Sequence, residues 1–214
     1  MKNNESGIFG RAYERHVLPR LINLACGTED IAAQRRKIVP AAAGRVLEIG
    51  IGSGLNLPFY DRARVDRLWG LEPAESMRRQ AERRAAVLGM EVSFLSLEAE
   101  EIPLEDGSVD TVLVTYTLCT IPDVERALRG MARVLAPGGQ LLFCEHGRAP
   151  DPAVRRWQDR LNRPWGKIAG GCNLNRPIAE LVRAGGFRIE SLEEGYIPGP
   201  RFLSYESLGR GVPG

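Results

Sequence analysis

Val46-Leu47-Glu48-Ile49-Gly50-Ile51-Gly52-Ser53-Gly54 reads as a short apolar run, an acid and three alternating glycines. Val46, Leu47 and Ile49 suit a strand buried on both faces, as in a parallel sheet. Gly50, Gly52 and Gly54 let the backbone turn tightly and pass close to a ligand. A strand running into such a loop opens an α/β unit whose ligand lies beyond the carboxyl ends of the strands.

The surroundings of the loop point to the charge of that ligand. Dinucleotide folds space their glycines G-x-G-x-x-G and seat a pyrophosphate on the following helix N-terminus. Here the spacing is G-x-G-x-G, and Pro58 spoils a helix running straight out of the loop. Glu48 would repel a pyrophosphate but favours a cation. Two further acidic points follow predicted strands: Glu72 after 66–72, at a distance suited to accepting ribose hydroxyls, and Glu98-Ala99-Glu100 after 91–97. Carboxylates ending three successive strands line one crevice, and the expected occupant is S-adenosyl-L-methionine, which carries a sulfonium and an ammonium.

The order of these segments resembles the class I S-adenosylmethionine-dependent methyltransferases. Residues 46–54 look like their first motif and Glu72-Pro73-Ala74-Glu75-Ser76-Met77 like the segment after their second strand. Glu98–Leu104 with Asp106-Gly107-Ser108-Val109-Asp110, and Leu135-Ala136-Pro137-Gly138-Gly139, match two later stretches, although Glu98 stands where Asp is usual. The resemblance covers about residues 44–145. It implies cofactor contacts from Glu48, Gly50, Gly52, Gly54, Asn56, Glu72, Pro73, Met77, Glu98, Ala99, Glu100, Thr115 and Leu118. Downstream, Leu118-Cys119-Thr120, Phe143-Cys144-Glu145-His146, the Trp157–Trp165 stretch and Gly171-Cys172-Asn173-Leu174-x-Arg176 resemble the animal methyltransferase-like proteins that methylate alkyl thiols, and their bacterial relatives. That narrower match implies a substrate pocket formed by Cys119, Trp157, Trp165, Cys172 and Asn173. The animal members carry an N-terminal hydrophobic anchor that has no counterpart in this sequence.

Composition fits a globular α/β chain: 214 residues, 43% hydrophobic and 26% charged. A net charge of +2 gives no footprint for nucleic acid. Arg35-Arg36-Lys37 and Arg83-Arg84 are expected on solvated helix faces. No run reaches the ~18 apolar residues of a membrane span, and the polar Met1–Ser6 is no signal peptide. A cytoplasmic location is the default expectation, with a small molecule as partner. Cys26, Cys119, Cys144 and Cys172 lie far apart without a C-x-x-C, so no metal site is expected.

The periodicities predict helices over 7–25 (kinked near Pro19), 28–39 with Thr28 as N-cap, 73–88 closed by Gly89, Asp123–Leu135 capped by Asp123, 152–163 and 175–184. They predict strands over Val109–Thr115, Gln140–Cys144, Arg188–Glu194 and Phe202–Leu208, with Pro137-Gly138-Gly139 as a turn. With the strands above, the expected fold is a Rossmann-like, doubly wound, mostly parallel seven-stranded sheet with N-terminal helices. Residues 1–44 are read as a helical lid and 45–214 as the methyltransferase domain.

Methyl transfer from a sulfonium needs alignment of nucleophile, methyl and sulfur and exclusion of water. A thiol, with a free pKa near ~8.5, needs little help from a base. An alcohol or ammonium needs more. His146, just past the fifth strand, is the candidate base. Tyr116 is a candidate to stack or hydrogen-bond beside the transferred methyl. Tyr13 is a candidate cover for the cofactor, and His16 a packing or surface residue. The resulting expectation is methyl transfer to a small-molecule sulfur. The alternatives are an O- or N-acceptor such as a quinone precursor or lipid headgroup, or a cofactor-binding regulatory protein without turnover.

Overall fold

The computed structural model describes Tyr13 and residues 17–214. Most of the first turns of the expected 7–25 helix, and His16 with them, lie outside the described residues. Seven strands make one sheet: β1 (Gly44–Ile49), β2 (Val65–Leu71), β3 (Ser93–Leu95), β4 (Val109–Thr115), β5 (Leu135–His146), β6 (Phe187–Tyr196) and β7 (Tyr205–Pro213). Their order is β3-β2-β1-β4-β5-β7-β6. The first five are parallel, and β7 runs antiparallel to both β5 and β6. The chain starts in mid-sheet at β1, moves outward to β3, then crosses to the other side with β4. The reversal between β1 and β4 splays the connecting loops apart and leaves a crevice at their carboxyl ends.

Among the described residues six α-helices flank the sheet: α1 (Leu18–Cys26), α2 (Glu29–Ile38), α3 (Glu75–Leu88), α4 (Val124–Val134), α5 (Pro152–Ile168) and α6 (Ile178–Ala184). Strand alternation sends Leu47, Ile49, Val112, Val114, Leu141 and Phe143 into one core. Val46, Leu113, Leu142 and Cys144 enter the other, beside Ile38, Leu57 and Tyr60. On α4, Val124, Ala127, Leu128, Met131 and Val134 form the buried stripe, at the i, i+3, i+4, i+7 spacing that one helix face requires. Asp123 caps this helix, its Oδ1 accepting the Arg126 N–H at 3.0 Å. Gly89 closes α3 in the left-handed region at φ 62°. Thr28 holds the N-cap position of α2, but its side chain makes no capping bond.

Several boundaries differ from the sequence expectation. β3 keeps only three residues. β5 begins at Leu135, with Ala136–Gly139 absorbed as an irregularity: Val109 pairs with Leu135, and Thr111 with Gln140. α5 continues through Pro164, although an interior proline costs about 3 kcal/mol. Tertiary anchoring outweighs that cost. Gln158, fully buried on α5, accepts the Ala149 N–H at 3.0 Å and donates to Gly147 O at 2.9 Å. α6 starts at Ile178, not 175, and residues 202–204 belong to the turn before β7. Among the described residues no helix is long and apolar enough to cross a membrane.

Candidate active site

The glycine loop leaves β1 with Gly50 at φ +67° and Gly52 at φ +56°. A Cβ at Gly50 would meet Thr117 at 2.4 Å, so this glycine lets the β1 and β4 loops touch. At Gly52 a Cβ would find no protein atom nearer than Met77 Cε at 3.5 Å. Its open side is the crevice itself, a cradle that a side chain would fill. Glu72, directly after β2, accepts the N–H of Gly52 at 3.1 Å and of Ala74 at 2.8 Å. Burial pushes its carboxyl up, those two N–H groups pull it back, and the nearby Glu98 charge pushes again. Glu72 therefore sits under the glycine loop at the β2 end of the crevice, with the Glu98 charge felt there.

Glu48 and Arg35 depart from their expected settings. Glu48 does not rim the cleft in water. It is 2% exposed, on the α2 side of β1, accepting from Tyr60 Oη at 2.7 Å and Asn56 Nδ2 at 2.8 Å. Burial pushes it up to about 7, against Tyr60, Asn56 and Arg35. Arg35 is not on a solvated face, unlike its neighbours Arg36 and Lys37. At 5% exposure it donates from Nη1 to Asn56 Oδ1 (2.6 Å) and Thr115 Oγ1 (2.8 Å), and its guanidinium lies 5.0 Å from the Tyr116 ring centre. The helical period decides this: Arg35 shares the inward face of α2 with Ile38. The crevice floor is thus a buried network with one cation in it, not a ring of free carboxylates.

The opposite end is built by the loop after β4. Tyr116 adopts φ 52°, the left-handed region a bulky residue avoids. Its ring borders the crevice and its hydroxyl donates to Glu206 Oε1 at 2.8 Å. Glu145, fully buried on β5, accepts the N–H of Thr117 (2.7 Å) and Leu118 (2.9 Å), which pins this turn. Next to it, Cys119, His146 and Cys172 converge, their ligating atoms all within 4.8 Å of one another. Chain spacing hid this cluster. His146 Nε2 lies 3.2 Å from Cys172 Sγ. The Cys119 hydrogen bond comes first, with His146 behind it, in drawing the Cys172 thiol well below its usual range. Burial lowers His146, but the Cys172 contact and the Glu145 and Glu206 charges outweigh it and leave the imidazole raised.

Other expected site residues spread out. Met77 lines the crevice and Asn56 and Thr115 belong to its buried network, whereas the side chains of Leu118 and Ala99 enter the hydrophobic core. Pro73 is exposed, and Glu100 accepts the Asp123 N–H at 3.1 Å ahead of α4. Asn173 ties its turn to Cys119 O through both its backbone N–H and its Nδ2, each at 2.9 Å. Trp165 has its indole nitrogen buried near Cys172. Trp157 is 56% exposed on α5, beneath Arg160, so the structure does not gather it with the cysteines. Tyr13 donates to Ile168 O at 2.7 Å. Arg35, Glu145, Glu206 and Cys26 are the neighbours that sequence reading missed. A buried charge on an otherwise polar helix is legible only once the helix is packed.

Helix α1 lies over the crevice with Ile22, Asn23 and Cys26, leaving a cavity of about 50 Å³. A nucleoside-sized ligand needs a pocket of roughly 300 Å³ or more. The residues fit S-adenosylmethionine, given the open glycine face, a carboxylate at the β2 end and a second beneath the loop, but the opening fits it only with α1 displaced. A larger groove of about 770 Å³ lies by the amino-terminal ends of β2 and β3, between Arg67 and Glu91. That is the edge opposite to where ligands bind in such sheets.

Residues 47–143 match the family model described as a methyltransferase domain. The chain is 30% identical to human thiol S-methyltransferase TMT1A, over 83% of this chain and 75% of that protein. It is 33% identical to a demethylmenaquinone methyltransferase of Thermus thermophilus, over 78% of this chain and 79% of that protein. Among solved structures, a SAM-dependent methyltransferase of Thermotoga maritima, a possible histamine N-methyltransferase, superimposes with a TM-score of 0.67 at 24% identity, covering 94% of this chain and 98% of that one. A glycine cradle between β1 and β4, in a sheet of this order, together with relatives matched along most of their length, places the chain in the S-adenosylmethionine-dependent methyltransferase family.

Proposed function

We propose that this methyltransferase alkylates the sulfur of a small-molecule thiol. The observation that carries the acceptor assignment is the reach of the similarity to the human thiol S-methyltransferase. At 83% of the chain it extends well beyond residues 47–143, into the segments that frame Cys119, His146 and Cys172. Chemistry agrees. With His146 Nε2 engaged by Cys172, an acceptor that ionises near ~8.5 unaided is better served than an alcohol or ammonium.

When bound, S-adenosylmethionine supplies an electrophilic methyl on a sulfonium and departs as S-adenosylhomocysteine. The chain's own groups supply the rest. Glu72 is placed to accept the ribose hydroxyls while fixing Gly52 and Ala74. Glu98, Met77 and the Gly50–Gly54 loop border the nucleoside side. A cation near Glu48 favours its ionised form, offsetting the burial that raises it. Tyr116, locked by Glu206, walls the acceptor end. Helix α1 acts as the lid: it opens to admit the cofactor and closes to exclude water.

A single-turnover assay with methyl-labelled cofactor tests this. The acceptors are an alkyl thiol, a demethylated quinone and phosphatidylethanolamine vesicles. Label should appear in the thioether. Transfer to the quinone or the headgroup with none to thiols would replace the sulfur acceptor by the quinone precursor or lipid headgroup, and the Thermus relative keeps the first of these in view.

A further inference from the structure

We propose that Cys119, His146 and Cys172 form a three-ligand site for a thiophilic divalent cation, zinc above all, whose fourth position takes the sulfur of the acceptor as its thiolate. The proposal rests on the thiol reading above, but its metal half can be measured without turnover.

Geometry comes first. The two sulfurs and the imidazole nitrogen already lie within 4.8 Å of one another, with Nε2 and Cys172 Sγ 3.2 Å apart. Tetrahedral zinc, with Zn–S near ~2.3 Å and Zn–N near ~2.0 Å, separates such a nitrogen and sulfur by about 3.5 Å and two sulfurs by about 3.8 Å. Adjustments of tenths of an ångström to about one ångström reach that arrangement.

The mounts of the three ligands are tied to one another. His146 ends β5, held in register opposite Glu206. Cys119 follows the turn that Glu145 pins. Cys172 follows Gly170 and Gly171, both at positive φ, and Asn173 beside it hydrogen-bonds Cys119 O twice. Arg176 also donates to Leu118 O, tying the same two loops. A site assembled from three separate segments therefore needs no folding around the ion.

The donor set selects the ion. Two thiolates and one imidazole suit zinc and exclude magnesium or calcium, which take oxygen ligands. Three protein ligands, rather than four, leave the open position characteristic of reactive zinc sites. That position has a use here. Cys26 lines the crevice, and so does Thr117, two residues before Cys119. The cluster thus sits at the acceptor end.

The charge and proton balance closes. In the metal-bound site Cys119 and Cys172 are thiolates and His146 is neutral, bound through Nε2 with its proton on Nδ1, and whatever protons the cluster held before pass to solvent. Zinc with two thiolates is neutral, so an acceptor R–SH entering the fourth position releases its own proton to solvent. It then sits as a thiolate at neutral pH with no general base. A neutral quinone precursor gains nothing from such a site.

The test uses the full-length chain, reduced, stripped with a chelator, supplied with one equivalent of Zn²⁺ or Co²⁺ and desalted. We expect about one metal per chain. The cobalt form should show thiolate-to-metal charge-transfer absorption that changes when an alkyl thiol is added and not when a demethylated quinone is added. Cys119→Ser and Cys172→Ser should each weaken zinc binding at least tenfold, while Cys26→Ser keeps it. Binding of S-adenosylhomocysteine to each variant reports that it is folded. Should a variant fail that check, the rise in melting temperature of the unmodified chain with Zn²⁺ serves in its place. No retained metal, or cobalt spectra without thiolate bands, overturns the site even if labelled methyl still reaches thiols. Retained metal whose spectrum ignores thiols, or is lost with Cys26→Ser, overturns the open fourth position. Thiols that perturb the cobalt spectrum while labelled methyl goes only to another acceptor would leave the metal site standing and remove the thiol function.

Discussion

Arg35 is the residue on which the crevice floor turns. Its guanidinium bridges Asn56 and Thr115 and lies over Tyr116, and it is one of three groups opposing the burial of Glu48. Arg35→Met keeps the side chain's length but removes two charge-assisted hydrogen bonds and orphans Asn56 Oδ1. We expect a loss of about 2–4 kcal/mol in urea unfolding. A change under 0.5 kcal/mol would show that the network holds without its cation. The sequence could not reveal this role, because Arg35 stands in a basic triplet that reads as a solvated face. Only packing distinguishes it from Arg36 and Lys37. The glycines were legible for the opposite reason: positive φ and close backbone approach are demands that few residues other than glycine meet. Cys119, His146 and Cys172 were visible singly but not as a group, since 53 residues, Cys119 to Cys172, separate the outer two along the chain.

At the scale of elements, α1 is the lid we propose. Its hold on the body of the molecule runs through Asn23, which accepts from Ser53 Oγ at 2.5 Å and donates to Gln80 Oε1 at 2.6 Å. Its outer face is apolar and exposed at Leu21 and Leu24. Few anchoring bonds and little buried apolar surface are the marks of an element that opens locally. Asn23→Ala should speed amide hydrogen exchange across residues 18–26 by about fivefold to tenfold, matching the loss of about 1–1.5 kcal/mol of hydrogen bonding, and leave exchange in β1 and β4 unchanged. Unchanged exchange in α1 would mean that the clasp lies elsewhere. The elements most readable in advance were those whose periodicity and caps agree, such as α4 with Asp123. α5 was misread at Pro164, because a local rule about proline lost to the buried bonds of Gln158. The ends of β6 and β7 were misplaced because edge pairing, not composition, sets where those strands stop.

The whole molecule carries a pH dependence written by its buried acids. Glu48 and Glu145, both fully buried, are each pushed up to about 7, chiefly by burial. The folded chain thus binds protons that the unfolded chain releases above about pH 4.3. Their contribution to stability is full below that pH and is lost as the pH rises through about 7. His146, also raised, acts in the same sense, and Cys172, lowered, acts against it. Asp110 and Asp151, held low by Arg45 and Tyr196, weaken the fold only in stronger acid. Unfolding free energy should fall by roughly 1–4 kcal/mol between pH 5.5 and 8, and Glu48→Gln should flatten that slope. A stability that climbs over this range would contradict the placement of these carboxyls. The doubly wound, mostly parallel sheet and the position of the crevice were readable from one strand, one loop, the acids that follow and the family resemblance they carry. The buried floor was not, because it arises from packing between segments far apart in the chain.

The cofactor site itself rests on Glu72 at the end of β2. Calorimetric titration of S-adenosylhomocysteine into the unmodified chain and into Glu72→Gln puts that to the proof. One molecule should bind per chain, with affinity reduced about 10-fold to 100-fold in the variant, the scale of losing charge-assisted hydrogen bonds. Equal affinity in both, or no binding where NAD binds well, would contradict the site described.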